Sequence, residues 1–273
     1  MKKIYFHHLI LMIIFFSSCE DVIKVDLSNS KPILVVEASI NWQKGTMGND
    51  QKIKLTTTTD YFSNIIPTVS GATVFIKNTA NTVFTFTEIP NSGEYVCNDF
   101  VPLLNETYIL TVIHNGQTYI ASETLNPVAP IDLIEQNNEG GFSGTDIEVK
   151  AFYIDPANEN NYYLYKYKYS NQAKPDYYVD RDQFFQGNQI FSVSQKGDLK
   201  IGDQIEISHF GISKQYFNYM AILMSTAENA ARGPFQSPPA KVKGNLINTT
   251  NFDNYALGYV RLSEVDRRNY TVE

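Results

Sequence analysis

Acidic residues outnumber basic ones in this chain of 273 residues, 29 against 22, for a formal charge of −7 at neutral pH. Nucleic-acid binding needs clustered Lys and Arg to displace counterions from phosphates, so this balance argues against it, and equally against lying on an anionic bilayer through basic residues. With 18 Tyr and 17 Phe to fill a core, the length suits one large domain or two ordinary ones.

Lys2 and Lys3 open the chain, Ile4 to Phe16 form an apolar run interrupted by His7 and His8, and Phe16-Ser17-Ser18-Cys19 follows. A short apolar core with basic residues before it and small ones after it reads as a signal peptide, here residues 1–18. It falls short of the roughly 20 apolar residues that a spanning helix needs. Phe16 stands where a lipobox usually has Leu. Cys19 is then expected to become the acylated amino terminus, with palmitate among its chains, and residues 19–32 a lipidated tether ending in Lys31-Pro32. One acyl chain binds a bilayer reversibly, whereas the three chains usual for a bacterial lipoprotein hold firmly. Glu20 and Asp21 follow directly, and an acidic pair there resembles the signal that exports some Gram-negative lipoproteins to the outer face of the outer membrane. The expected location is the outer membrane, lipid-anchored, with exposure at the cell surface a further possibility. Removing the leader takes two lysines and no acid, so the remaining 255 residues carry 20 basic against 29 acidic groups, or −9.

The body begins with β-rich runs at 33–40, 53–59, 72–76 and 83–87, which alternate or carry many β-branched residues. Tyr108 to Ile113 and Gln117 to Ala121 flank His114-Asn115-Gly116, and Asn-Gly between two apolar-alternating runs marks a hairpin because both residues tolerate positive φ. These strands predict a β-sandwich over 33–127, of immunoglobulin or transthyretin type, with Asn126-Pro127-Val128-Ala129-Pro130 as a linker. A second β-rich domain, a sandwich or a barrel, is expected over 131–273. It opens on the strand Ile147 to Tyr153 and the turn Asp155 to Asn161. In the next strand, period two places Tyr163, Tyr165, Tyr167 and Tyr169 on one face and Leu164, Lys166 and Lys168 on the other. Lys214 to Ala231 carries Tyr216, Tyr219, Met220, Leu223 and Ala227 at helical spacing and predicts one amphipathic helix, stopped by Gly233-Pro234. Ala256 to Leu262 reads as the last strand. The fold class is therefore mainly β, in two β-rich domains.

Catalytic signatures are sparse. With Cys19 acylated, Cys97 has no disulfide partner and reads as a small strand hydrophobe. His114 sits in a turn and His209 has no neighbouring second ligand, whereas zinc takes three or four clustered ligands. No Gly-X-Ser-X-Gly elbow or phosphate-cradling glycine loop occurs. The Asp155 to Asn161 turn offers oxygens for calcium but lacks the Gly and terminal Glu of an EF-hand, so an Asx-rich turn is the plainer reading. The tyrosine stripe fits either an exposed platform for sugar rings or the filling of a half-buried sheet. Tyr177 and Tyr178, near Lys174 and Arg181 on an expected loop, are the candidates for ligand contact. No enzyme, metal or cofactor follows from these residues.

Several segments carry a resemblance to a known family: Cys19-Glu20-Asp21, Leu34-Val35-Val36-Glu37-Ala38-Ser39-Ile40, Ser92-Gly93-Glu94-Tyr95, Pro238 to Asn248 and Ala256-Leu257-Gly258-Tyr259-Val260. Across nearly the whole body the chain resembles the outer-membrane lipoproteins grouped as domain of unknown function 4249, which often have Phe where Val260 stands. The resemblance carries over no catalytic residues. Members are often encoded beside TonB-dependent, SusC-like transporters, which implies an accessory or ligand-capturing lipoprotein with a β-barrel partner. The alternative is a structural or adhesive surface lipoprotein without a small-molecule ligand.

Overall fold

The alternating runs of the first half become β1 (Leu34–Gln43), β2 (Gln51–Thr57), β3 (Thr73–Asn78), β4 (Val83–Ile89), β5 (Glu94–Cys97), β6 (Thr107–His114) and β7 (Gln117–Asn126) in the computed structural model. The structure describes residues 31–60, 63–141, 144–184, 186–194, 196–229 and 242–273, so the leader, Cys19, Glu20 and Asp21 lie outside the described residues. The hairpin between β6 and β7 turns on Asn115 and Gly116, at φ 48° and 71°, the left-handed pair that Asn-Gly supplies.

The second half holds β8 (Leu133–Gly140), β9 (Asp146–Ile154), β10 (Tyr162–Tyr169), β11 (Asp176–Arg181), β12 (Gln189–Val193) and β13 (Gln204–Ile212). The helix α1 (Lys214–Asn229), the short β14 (Ile247–Asn248) and β15 (Leu257–Thr271) follow. The fold is mainly β. The helix was expected to reach Ala231, and residues 230 and 231 lie outside the described residues.

One strand organises the sheets. β15 was expected over 256–262 but continues to Thr271. It pairs parallel with β1 from Val35↔Leu257 to Gln43↔Val265. Its other edge meets β7 through Leu262 and Ser263, then β13 from Val265 to Thr271. The order β15-β1-β2-β5-β4-β3-β6-β7 thus closes on itself as a barrel-like ring, while β13, β10 and β11 extend the same sheet. A three-stranded sheet, β12-β9-β8, completes the structure. Val36, Ala38, Ile40, Ile53, Leu55, Val260 and Leu262 point into the ring and form the first core. Residues 126–130 lie where this core gives way to a second, built from β9, β10 and β13.

The acidic half of β15 explains why pattern alone stops at Leu262. Glu264 and Asp266 are buried, yet each meets a donor from the incoming chain. The Val128 N–H donates to Glu264 Oε2 at 2.9 Å and the Ile131 N–H to Asp266 Oδ2 at 2.7 Å. Lys44 Nζ lies 2.7 Å from Glu264 and Arg268 Nη1 3.1 Å from Asp266, so both charges are compensated. Behind the linker, Gly211 lets the backbone come close: a Cβ there would meet the Pro127 carbonyl oxygen at 1.8 Å.

The tyrosine stripe is interior, which removes the sugar-platform reading. Tyr163, Tyr165, Tyr167 and Tyr169 face the small sheet, and each hydroxyl finds a partner across the gap. Tyr163 donates to Asp155 Oδ1 at 2.6 Å and Tyr165 bonds to the Tyr153 hydroxyl. Tyr167 meets Ser192 Oγ at 2.6 Å, and Tyr169 meets Ser194 Oγ at 2.9 Å. Rings supply apolar area while each phenol is satisfied, as a buried tyrosine requires.

Removing one hydroxyl from this ladder discriminates its rungs. Tyr163→Phe strands the buried Asp155, whose Oδ2 already lacks a partner, and is expected to cost about 2–3 kcal/mol. Tyr169→Phe, opposite a serine that can rotate, should cost about 1 kcal/mol in the same urea titrations. Gly211→Ala forces the linker off β13 and should lower stability by about 3 kcal/mol; a loss under 0.5 kcal/mol would contradict the close approach.

Candidate functional site

Tyr259, Arg261, Ser263, Val265 and Arg267 share the face of β15 opposite the first core, by the two-residue period of a strand. Register places Ser39 beside Arg261 and Asn41 beside Ser263 on β1, Ser208 beside Arg267 on β13, and Lys166 beside Ser208 on β10. Tyr177 on β11 pairs with Lys166. The helix α1 packs on this face through Tyr216, Phe217 and Met220, against Leu164, Phe210, Ile212 and Val265.

Arg261 is the centre of the arrangement, 5% exposed. Its guanidinium carbon lies 4.7 Å from the centroid of the Phe210 ring and 5.5 Å from that of Tyr216, a cation between two aromatic faces. Nη2 donates to Asn41 Oδ1 at 2.8 Å, but Nε and Nη1 have no hydrogen-bond partner, nor does the neighbouring Ser263 hydroxyl. Burial lowers the pKa of Arg261 from the usual guanidinium range, opposed first by Tyr216, through both its charge and its hydroxyl, and then by Tyr177 and Glu123. An arginine stays charged in a protein, so this is a desolvated cation with unmet donors.

Nearby charges do not cancel it. Lys166 has its pKa lowered by burial, an effect that Glu206 opposes and that Arg267, Lys168 and Arg261 reinforce. Arg267 Nε lies 3.7 Å from Glu206 Oε1 and 3.4 Å from Ser208 Oγ. Glu123 on β7 is buried, and burial pushes its carboxyl above the ordinary range against the Thr124 N–H, Ser213, Tyr259 and Arg261. Ser213 donates to Glu123 Oε2 at 3.0 Å and accepts from the Tyr216 N–H at 3.1 Å, capping α1 while fastening it to β7. Tyr259 lies under the Tyr216 and Tyr219 rings, with centroids 4.9 and 4.8 Å away.

The face opens at Asn41 and Ser39. They line a shallow, open depression with Glu37, Asp50, Gln51, Lys52, Lys54 and Glu94. Asn41, one of its lining residues, accepts from Arg261 Nη2.

The two tyrosines singled out by sequence lie on the strand β11 and not on a loop. Strand alternation separates them. Tyr177, 41% exposed, comes within electrostatic reach of Arg261, whereas Tyr178 is half-buried against Tyr167, ring centroids 6.0 Å apart. Arg261, Glu123 and Lys166 escaped sequence reasoning. The available signal was an arginine set between Val260 and Leu262 in an otherwise apolar strand.

Other reactive groups are subdued. Cys97 ends β5, buried, its thiol donating to Asp99 Oδ1 at 3.1 Å and pushed up to about 11 by burial, so it stays protonated. His209 is ringed by Tyr153, Tyr163 and Tyr165 at 4.3, 4.7 and 5.0 Å, and burial drives it down to about 3 against the Ala129 backbone. His114 ends β6, its Nε2 3.0 Å from Asn115 Nδ2. Asp155, at the mouth of the acidic turn, is taken by Tyr163. Among the described residues no three His, Cys, Asp or Glu gather to hold a metal, and no helix is long and apolar enough to cross a membrane.

Glu123 gives a pH signature with a definite sign. Its folded pKa is raised, so the native state binds more protons than the unfolded one above the ordinary carboxylate range. Stability from this group is complete below that range and is lost as pH rises through the raised value. Subtracting the Glu123→Gln curve from wild type in urea titrations between pH 4 and 8 should isolate a falling component; a flat difference would refute it.

The family model described as "Domain of unknown function (DUF4249)" matches residues 20–269. Among solved structures, a two-domain fibronectin type-III segment from chicken tenascin is similar at 10% identity and a TM-score of 0.22, over 67% of this chain and 91% of that one. A DUF4785 family protein from Legionella pneumophila shares 9% identity at a TM-score of 0.28, over 65% and 52% of the two chains. Chicken CNTN1 FN1-FN3 domains share 12% identity at a TM-score of 0.21, over 67% and 60%. No curated protein matches the chain. On a match that runs from Glu20 to Asn269, the chain belongs to the family described as Domain of unknown function (DUF4249).

Proposed function

We propose that this protein is a non-catalytic lipoprotein of the outer membrane that captures a ligand for a TonB-dependent, SusC-like transporter. The observation that carries ligand capture is Arg261: a desolvated guanidinium between Phe210 and Tyr216 that keeps donors unmet. Leaving a buried donor unmet costs about 1–3 kcal/mol, which a bound acceptor would recover. Anchoring rests on the leader and Cys19, and placement at the cell surface on Glu20 and Asp21. The absence of chemistry is supported by a protonated, buried Cys97 and a His209 enclosed by three tyrosines. We read the closed ring as an immunoglobulin- or transthyretin-like sandwich and the second half as another, a reading supported by the two separate cores.

Cys19→Ala is expected to move the protein from the membrane pellet to the soluble fraction after a salt wash; retention in the pellet would end the anchoring model. Affinity purification from detergent-solubilised outer membranes should bring down a stoichiometric β-barrel. Purification without one favours the structural or adhesive role.

A further inference from the structure

We propose that the Arg261 niche binds an oxyanion, a carboxylate or phosphate borne by a small molecule whose flat apolar part lies against Phe210 and Tyr216. The proposal names the ligand class of the capture site and so rests on that reading.

Three features converge. Nε and Nη1 of Arg261 carry three N–H donors without acceptors, and the guanidinium suits the two oxygens of a carboxylate or phosphate. Lys166 and Arg267 share this face, each in register with Ser208, and add two further cations beside Arg261. Glu206 lies by Arg267 and also acts on Lys166, whereas Glu123, nearer Arg261, is biased by burial toward its neutral form. This cationic spot sits in a chain whose body carries −9, so it is a local exception to the overall field. The aromatic walls exclude water, which strengthens the attraction for an anion in the low-dielectric niche. A neutral sugar would satisfy donors without balancing the charge. A buried water would do the same. On the Asn41 side the guanidinium is only part-buried, where Nη2 meets Asn41 Oδ1.

The test is calorimetric titration of the mature, lipidated protein in detergent with benzoate and with inorganic phosphate, against chloride at equal ionic strength. We expect one of the two anions to bind with a Kd in the millimolar range or tighter, benzoate identifying a carboxylate site and phosphate a phosphate site. Arg261→Met should weaken binding at least tenfold, and Lys166→Met, at a more exposed position, several-fold with an unchanged circular dichroism spectrum. Arg261→Lys should restore part of the affinity if the Met variant fails to fold. Heats equal to those of chloride for both anions, or undiminished binding by a folded Arg261→Met and Lys166→Met, overturn the proposal. An anion that binds a protein which brings down no β-barrel would leave the niche standing and remove the transporter partnership. A β-barrel partner with no anion binding would do the reverse.

Discussion

Two carboxylates hold the molecule's halves to a common spine. Glu264 and Asp266 accept the N–H groups of Val128 and Ile131, so the segment leaving β7 is laid along β15 before β8 begins. Burying an ion is costly unless it is paired and hydrogen-bonded, and here Lys44 and Arg268 provide the pairing. Arg268 also donates to the Ile131 carbonyl at 3.1 Å, closing the linker's own polar accounts. Without these bonds β15 could still pair with β1, but nothing would set where the second half begins.

The same strand treats its two faces in opposite ways. Toward the ring it presents Val260 and Leu262 and is wholly apolar before the carboxylates begin. Toward α1 it presents Tyr259, Arg261 and Ser263, all buried, with hydrogen-bonding atoms left open. In the second core the opposite holds: four tyrosines cross between sheets, and each phenol is met. The phenols that specify the second core are thus satisfied, whereas the guanidinium beside α1 keeps donors that a ligand could take.

The strands of the first half were legible because each carries its own alternation, and the hairpin at Asn115-Gly116 because its dihedrals follow from local sterics. The shared face of Tyr163 to Tyr169 was legible for the same reason. Its depth was not, since burial depends on β9 and β12 arriving from elsewhere with Ser192 and Ser194. β8 reads Leu-Ile-Glu-Gln-Asn-Asn-Glu-Gly and β11 Asp-Tyr-Tyr-Val-Asp-Arg, too polar to announce strands that are recruited by pairing with β9 and β10. The acidic end of β15 did not read as strand because the groups that satisfy its carboxylates lie more than 100 residues away. Tyr177 was singled out from the sequence and Arg261 was not. Exposure can be guessed from composition, whereas an unmet donor is visible only after every neighbour has been placed.

The parallel pairing of β1 with β15 joins segments some 220 residues apart, and it also completes the ring. No hydrophobic core can therefore be finished before β15 is in place, since each takes residues from it or its end. Long-range parallel pairing carries a large loop-closure cost and is slow. One strand thus couples the closing of both halves, and neither is expected to be stable alone.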